Sequence, residues 1–229
     1  MKITLAYDRH GLEVELPDRN VKAVLRKPAA VPLENAGEAL RAGLRSPIGT
    51  GALSEIARGK RNAVIVVSDV TRPVPNATIL PPIIETLTEA GVAREAITIL
   101  VATGLHGPNE GAVLDQVLGA EIAGSMNVAN HDARAREAHT YLGTTACGTE
   151  VRIDSRYRNA DVKVLTGLIE PHFMAGYSGG PKAILPGLAA ADAIGVIHGY
   201  RMLADARCRT GNITDNPLRE ELIAAARMA

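Results

Sequence analysis

The sequence predicts an α/β fold: a mainly parallel sheet flanked by helices, with an N-terminal β-hairpin. Two patterns point to the sheet. The runs Ala63-Val64-Ile65-Val66-Val67, Ile97-Thr98-Ile99-Leu100-Val101 and Val162-Lys163-Val164-Leu165-Thr166 are short and largely apolar, as strands buried on both faces of a parallel sheet require. Helical spacing follows the first two runs, and strand-helix-strand-helix order implies right-handed crossovers. A third pattern gives the hairpin. Leu12-Glu13-Val14-Glu15-Leu16 alternates strictly after Ile3-Thr4-Leu5-Ala6-Tyr7, with a polar turn over Asp8 to Gly11.

Taken in order, a proline-interrupted linker follows the hairpin, and Leu33, Ala36, Leu40 and Leu44 mark a helix over 33–46. Leu53 to Ala57 reads as part of another. The strand at 62–68 leads to a helix over 76–90, with Asn76 as its expected cap and Pro81-Pro82 as a local obstacle. The second strand leads to a helix over 109–118. Alternation in Glu150-Val151-Arg152-Ile153-Asp154 suggests a hairpin within 140–154 turning near Cys147-Gly148. After the third strand come a glycine-rich loop to Gly187, a short helix at 189–197 and a last helix at 216–228. The sequence ends within a helical run and has no stop signal there, as expected of a segment cut from a longer chain.

Composition narrows the function. With 229 residues the chain has room for one large domain or two small ones, and 46% apolar residues supply a core. Lysines and arginines number 25 against 25 acids, so no basic excess exists to neutralise a nucleic acid backbone. Aromatics at 3% leave few platforms for stacking bases. Cys147 and Cys208 have no CxxC spacing and read as reduced thiols of a cytoplasmic protein. No run approaches the ~18 apolar residues of a membrane helix, and no signal-peptide core is present, so no membrane partner is expected.

The chemistry concentrates where the three strands end. Ligands of open parallel sheets sit beyond the carboxyl ends of the strands. There the sequence places Ser68-Asp69-Val70-Thr71-Arg72-Pro73-Val74-Pro75-Asn76, then Thr103-Gly104-Leu105-His106-Gly107-Pro108-Asn109, then Glu170-Pro171-His172 with Gly176-Tyr177-Ser178-Gly179-Gly180-Pro181-Lys182. Each has an ordinary reading as well. Asp69 to Pro73 suits a simple turn, His106 a solvated loop histidine, and the glycines a surface loop. His10, His131 and His139 are read as structural. A Walker A loop is excluded because Pro181 precedes Lys182 and Ala183 follows it. Residues 176–180 fit G-x-S-x-G literally. A nucleophile elbow needs a helix behind the serine, however, and Pro181 and Pro186 oppose one, so a serine hydrolase is the least favoured reading.

Asp69-Val70-Thr71-Arg72-Pro73-Val74-Pro75, Gly104-Leu105-His106 and above all Glu170-Pro171-His172-Phe173-Met174-Ala175-Gly176-Tyr177-Ser178-Gly179-Gly180-Pro181-Lys182 resemble the nickel-pincer lactate racemase family. The resemblance covers residues 1–229 as that family's N-terminal domain, its cofactor-binding and catalytic half, without the C-terminal domain. It implies a racemase or epimerase of small 2-hydroxy acids, in which hydride transfer to the cofactor is coupled to two acid/base histidines. The implied cofactor is nickel pyridinium-3,5-bisthiocarboxylate mononucleotide, made by partner enzymes. By resemblance, Lys182 is the covalent tether, His198 the nickel ligand, and His106 and His172 the acid/base pair. Asp69, Thr71 and Arg72 form the cofactor- and substrate-contacting turn, Ser178 and Gly179 belong to the anion-holding loop, and Arg72 suits the substrate carboxylate. Gly107 and Pro181 depart from the pattern, standing where basic residues are expected. The rival expectation is an incomplete or non-catalytic cofactor-binding module.

Overall fold

The computed structural model describes residues 1–8, 10–26 and 28–229, which form two compact units, Met1–Glu34 and Asn35–Ala229. In the first, β1 (Lys2–Leu5) and β2 (Leu12–Glu15) make the expected antiparallel hairpin, pairing Lys2 with Glu15 and Leu5 with Leu12. Arg9, inside the expected turn, lies outside the described residues.

The second unit opens with α1 (Ala36–Arg45), whose Asn35 cap accepts the Glu38 amide at 3.0 Å, and the short α2 (Leu53–Ala57). Then come β3 (Ala63–Ser68), α3 (Asn76–Glu89), β4 (Ile97–Ala102), α4 (Gly111–Leu118), α5 (Ala120–Ser125) and β5 (Asn127–Asn130). A side hairpin of β6 (His139–Thr144) and β7 (Glu150–Asp154) turns through Thr145–Thr149, as expected. It is followed by the single-turn α6 (Ser155–Arg158), β8 (Val162–Leu165) and a two-residue pair, β9 (Pro171–His172) with β10 (Gly176–Tyr177). The chain closes with α7 (Ala191–Ile197), α8 (Tyr200–Leu203) and α9 (Pro217–Met228).

The main sheet runs β5-β4-β3-β8 and every neighbouring pair is parallel, as the sequence predicts. Ala63 to Val67 are all buried, because β3 is central and both its faces are covered. Val64, Val66 and Leu100 pack with Ile194, Ile197, Leu218 and Leu222 from α7 and α9. Ile65, Val67, Ile99 and Val101 pack with Leu80, Ile84 and Leu87 of α3 and with Leu118 and Ile122. The chain moves outward from β3 to β4 to β5, then returns to the other side of β3 as β8. Helix α3 therefore lies on one face and α7 and α9 on the other, and the β3/β8 boundary is a switch point of the kind that opens a crevice.

Two expectations are corrected, and the helix expected over 76–90 is met. The strand at 162–166 is an edge strand and only Val162 of β8 is fully buried, which explains why Lys163 is tolerated there. Asn76 is not the cap of α3: Pro75 holds that place, and the Asn76 amide instead donates to the Val117 carbonyl at 2.9 Å, joining α3 to α4. Pro81 and Pro82 do not end α3. They remove the amides that would bond the carbonyls of Ala77 and Thr78, both exposed residues whose carbonyls water can satisfy. Strand β5 is a further element, unannounced because only Val128 and Ala129 of its four residues are apolar. Among the described residues, no helix is long and apolar enough to cross a membrane.

Candidate active site

Beyond the carboxyl ends of β3, β4 and β8 lies a cavity of about 330 Å³. Asp69, Thr71, Arg72, His106, His172, Ser178, Gly179, Lys182 and His198, the full set of residues singled out in the sequence, line it together. His10, His131 and His139 do not.

The loop after β3 is organised by Asp69. Its buried carboxylate accepts from the Thr71 amide at 3.2 Å, the Thr71 hydroxyl at 2.5 Å and His106 Nδ1 at 2.5 Å. An ionised carboxylate only accepts, so Nδ1 of His106 is the donor in this contact. Asn109, which ends the polar run after β4 and to which the sequence assigns no separate role, joins this loop to the next. Its side-chain oxygen accepts the Val70 amide at 2.8 Å, while its own amide donates to Asn130 at the end of β5 at 2.9 Å. No local signal marks this role, since the two partners lie on two other segments.

The loop after β4 turns tightly, the His106 amide donating to Thr103 at 2.9 Å. The Gly104 amide donates to the Gly187 carbonyl at 3.1 Å, tying this loop to the third. Beneath it, the Thr103 hydroxyl donates to the His131 carbonyl at 2.7 Å. His131 and His139 are buried and meet Nε2 to Nε2 at 2.9 Å, a polar support inside the fold. Burial, foremost, pushes His131 down to about 4.

The loop after β8 carries the other groups. The buried Ser178 hydroxyl donates to Leu168 at 2.6 Å and accepts the Glu170 amide at 2.9 Å, stitching the loop to itself. Gly179 stands at φ +74°, and a Cβ there would come within 3.2 Å of the Leu168 carbonyl, so the close turn requires glycine. His172 Nδ1 accepts two backbone amides, Met174 and Ala175, each at 3.2 Å. Burial, then the charges of Lys182 and Arg72, pull His172 down to about 4. Burial and the Arg72 guanidinium likewise bring Lys182 down to about 8. Arg72 itself faces Glu170 at the cavity rim, Nε to Oε1 3.7 Å.

His198 closes α7. Its Nδ1–H donates to the Ile194 carbonyl at 3.0 Å, which leaves Nε2 bare for a metal, the arrangement common to ligating histidines. Among the described residues no group of three or more His, Cys, Asp or Glu side chains could hold a metal. A lone imidazole therefore suits a metal that arrives with most of its donors already supplied by an organic ligand. A half-buried amine of lowered basicity, Lys182, lines the same cavity and is the kind of nucleophile that can tether such a ligand.

The family described as the lactate racemase N-terminal domain matches residues 7–211. The lactate racemase of Thermoanaerobacterium thermosaccharolyticum is 34% identical over 232 residues, and that of Lactiplantibacillus plantarum 35% over 230; each alignment covers 99% of this chain and 54% of the relative. The structure of the Thermoanaerobacterium lactate racemase apoprotein superposes with a TM-score of 0.87 at 33% identity, over 100% of this chain and 53% of that one. A Thermotoga maritima protein shares the fold, with a TM-score of 0.68 at 22% identity over 84% of this chain and 47% of that one. The chain thus spans about half the length of the curated relatives it matches. With its parallel sheet, its cavity at the strand ends and these relatives in agreement, the chain belongs to the lactate racemase N-terminal domain family.

Proposed function

We propose that residues 1–229 are the cofactor-bearing half of a lactate racemase-like isomerase acting on small 2-hydroxy acids. The single observation that carries the reading is the meeting of His106, His172, Arg72, Lys182 and His198 in one cavity. Inverting a carbinol centre needs groups that handle the hydroxyl proton, a cation for the carboxylate, and a means of removing the carbon-bound hydrogen. His106 and His172 serve the first need. Arg72 serves the second, its planar fork matching a carboxylate. The third lies beyond any side chain here, because an unactivated carbinol C–H is too weakly acidic for an imidazole. A nickel pyridinium-3,5-bisthiocarboxylate mononucleotide, when bound, supplies the acceptor for that hydrogen and its electron pair. Lys182 would hold it covalently and His198 would ligate the nickel through Nε2, while Asp69, Thr71, Ser178 and Gly179 shape the loops around it. The free thiols Cys147 and Cys208 accord with a cytoplasmic setting, where enzymes that make the cofactor would be its partners.

A second reading keeps the cofactor and drops the turnover: a binding module without the rest of the active site. The half-length match to the relatives favours keeping it in view. Co-expression with cofactor-making enzymes, followed by intact mass and metal analysis, tests what the two readings share. Lys182→Ala should lose the mass adduct, whereas His198→Ala should keep it and retain less nickel. A full adduct without Lys182 sinks the assignment. Lactate optical rotation, followed with this chain alone and with a polypeptide of the relatives' length, then separates enzyme from module.

A further inference from the structure

Arg72, the cation assigned to a substrate carboxylate, already has a carboxylate beside it. We infer that Glu170 is the resident counter-ion of this subsite: its side chain stands where an incoming carboxylate binds the Arg72 fork, so that entry of a hydroxy acid exchanges one carboxylate for another. The inference rests on the racemase reading for the identity of the incoming acid, and on the geometry around Arg72 for the exchange.

Two loops build the contact. Arg72 comes from the loop after β3, where its amide donates to the Asp69 carbonyl at 3.1 Å and its Nη1 to the Thr71 carbonyl at 3.4 Å. Glu170 comes from the loop after β8, and Ser178 holds it on both sides. The Glu170 amide donates to the Ser178 hydroxyl at 2.9 Å, and its carbonyl accepts the Ser178 amide at 2.9 Å. The main chain of Glu170 is therefore fixed, and its carboxylate moves by side-chain rotation alone. Oε1 reaches Nε of Arg72 at 3.7 Å; among the described residues no other carboxylate lies within ion-pair distance of that guanidinium.

Distance and exposure decide what the contact can do. A carboxylate gripping the fork with two hydrogen bonds would block it. At 3.7 Å the pair attracts without a hydrogen bond. The Arg72 and Glu170 side chains are 35% and 42% exposed, so water screens the attraction. An incoming acid, in contrast, brings two oxygens to the fork at once. Glu170 is thus displaceable, and because exposed ion pairs contribute little, its competition should weaken binding of the acid by about 2- to 5-fold. The exchange also selects. A neutral amide offers Arg72 no charge in return for that of Glu170 and does not displace it.

Nitrogen-15 spectra of the arginine Nε–H groups of the labelled chain, at mildly acidic pH where these protons exchange slowly, follow the contact directly. Arg72→Gln assigns the signal by its loss. L-lactate should move the Arg72 signal to saturation, whereas lactamide should leave it in place. In Glu170→Gln the half-saturating lactate concentration should fall by about 2- to 5-fold. Glu170→Asp keeps the charge but stops one methylene short of Arg72, and should fall likewise; if the glutamine variant fails to fold, the aspartate variant carries the test. Equal half-saturation in all three proteins, no lactate response in any, or a lactamide response equal to that of lactate overturns the exchange. So does an aspartate variant that matches the parent while the glutamine variant tightens, since a nearby charge alone then accounts for the effect. A cofactor-loaded protein of the relatives' length that shows the exchange and never racemises overturns the racemase reading instead. One that racemises, with half-saturation unchanged by either substitution, leaves that reading standing and removes the role of Glu170.

Discussion

Lys182 sits near half-neutral at mildly alkaline pH because burial strips water from its ammonium and Arg72 repels it. Acylation of this one amine should therefore rise with pH about a midpoint near 8, where an ordinary lysine does so near 10.5. Removing the Arg72 charge, as in Arg72→Gln, should move that midpoint upward; peptide mapping of labelling against pH reads both. Ser178 has the opposite character, since its hydroxyl is spent on Leu168 and Glu170. Ser178→Ala should cost about 1–3 kcal/mol in denaturant unfolding by leaving a carbonyl and an amide unpaired. A fluorophosphonate should leave the parent Ser178 unlabelled.

Helix α3 shows an element holding against local preference. Its Pro81 is the sixth helical residue, past the first turn where proline is harmless. Tertiary burial of Leu80, Ile83, Ile84 and Leu87 holds the helix together across it. Pro81→Ala restores a missing amide opposite the Ala77 carbonyl at some entropic gain to the unfolded chain, and should raise stability by about 2 kcal/mol. Thermal or denaturant melts check the sign. Elements of this kind mark where the sequence is readable. Central β3 and β4 announce themselves as largely apolar runs because they are buried on both faces, and α9 by its spacing because one face is buried. Strand β5, at the sheet edge with two polar ends, carries no such pattern; neither does the inward turn of Asn76, which depends on a carbonyl 41 residues away. The site follows the same rule. Motifs within one loop give away Asp69, His106 and Lys182, whereas Asn109 works only through residues on other segments.

Across the whole molecule, the buried His131 couples stability to acidity. The folded-state value of His131, about 4, lies below its ordinary 6.5, so protons favour the unfolded chain. The stabilisation is complete above about pH 6.5 and drains away as pH falls toward 4, a loss of about 3 kcal/mol from this residue. His172 shifts in the same direction and adds to the slope. Unfolding free energies measured from pH 7 to pH 4 should show the decline, and His131→Gln should flatten it while leaving that of His172 in place. A variant as acid-sensitive as the parent would show that the burden lies elsewhere.

The Asn109 side chain has a bearing on motion. The Val70 amide is closed off by Asn109, and the Asn109 amide by Asn130, so neither can meet solvent while the three segments stay joined. The two amides should exchange their hydrogens for deuterium at one common rate, as a single opening unit, although 39 residues separate them along the chain. A ligand that quiets one of the loops would then slow exchange in the other by the same factor without touching it.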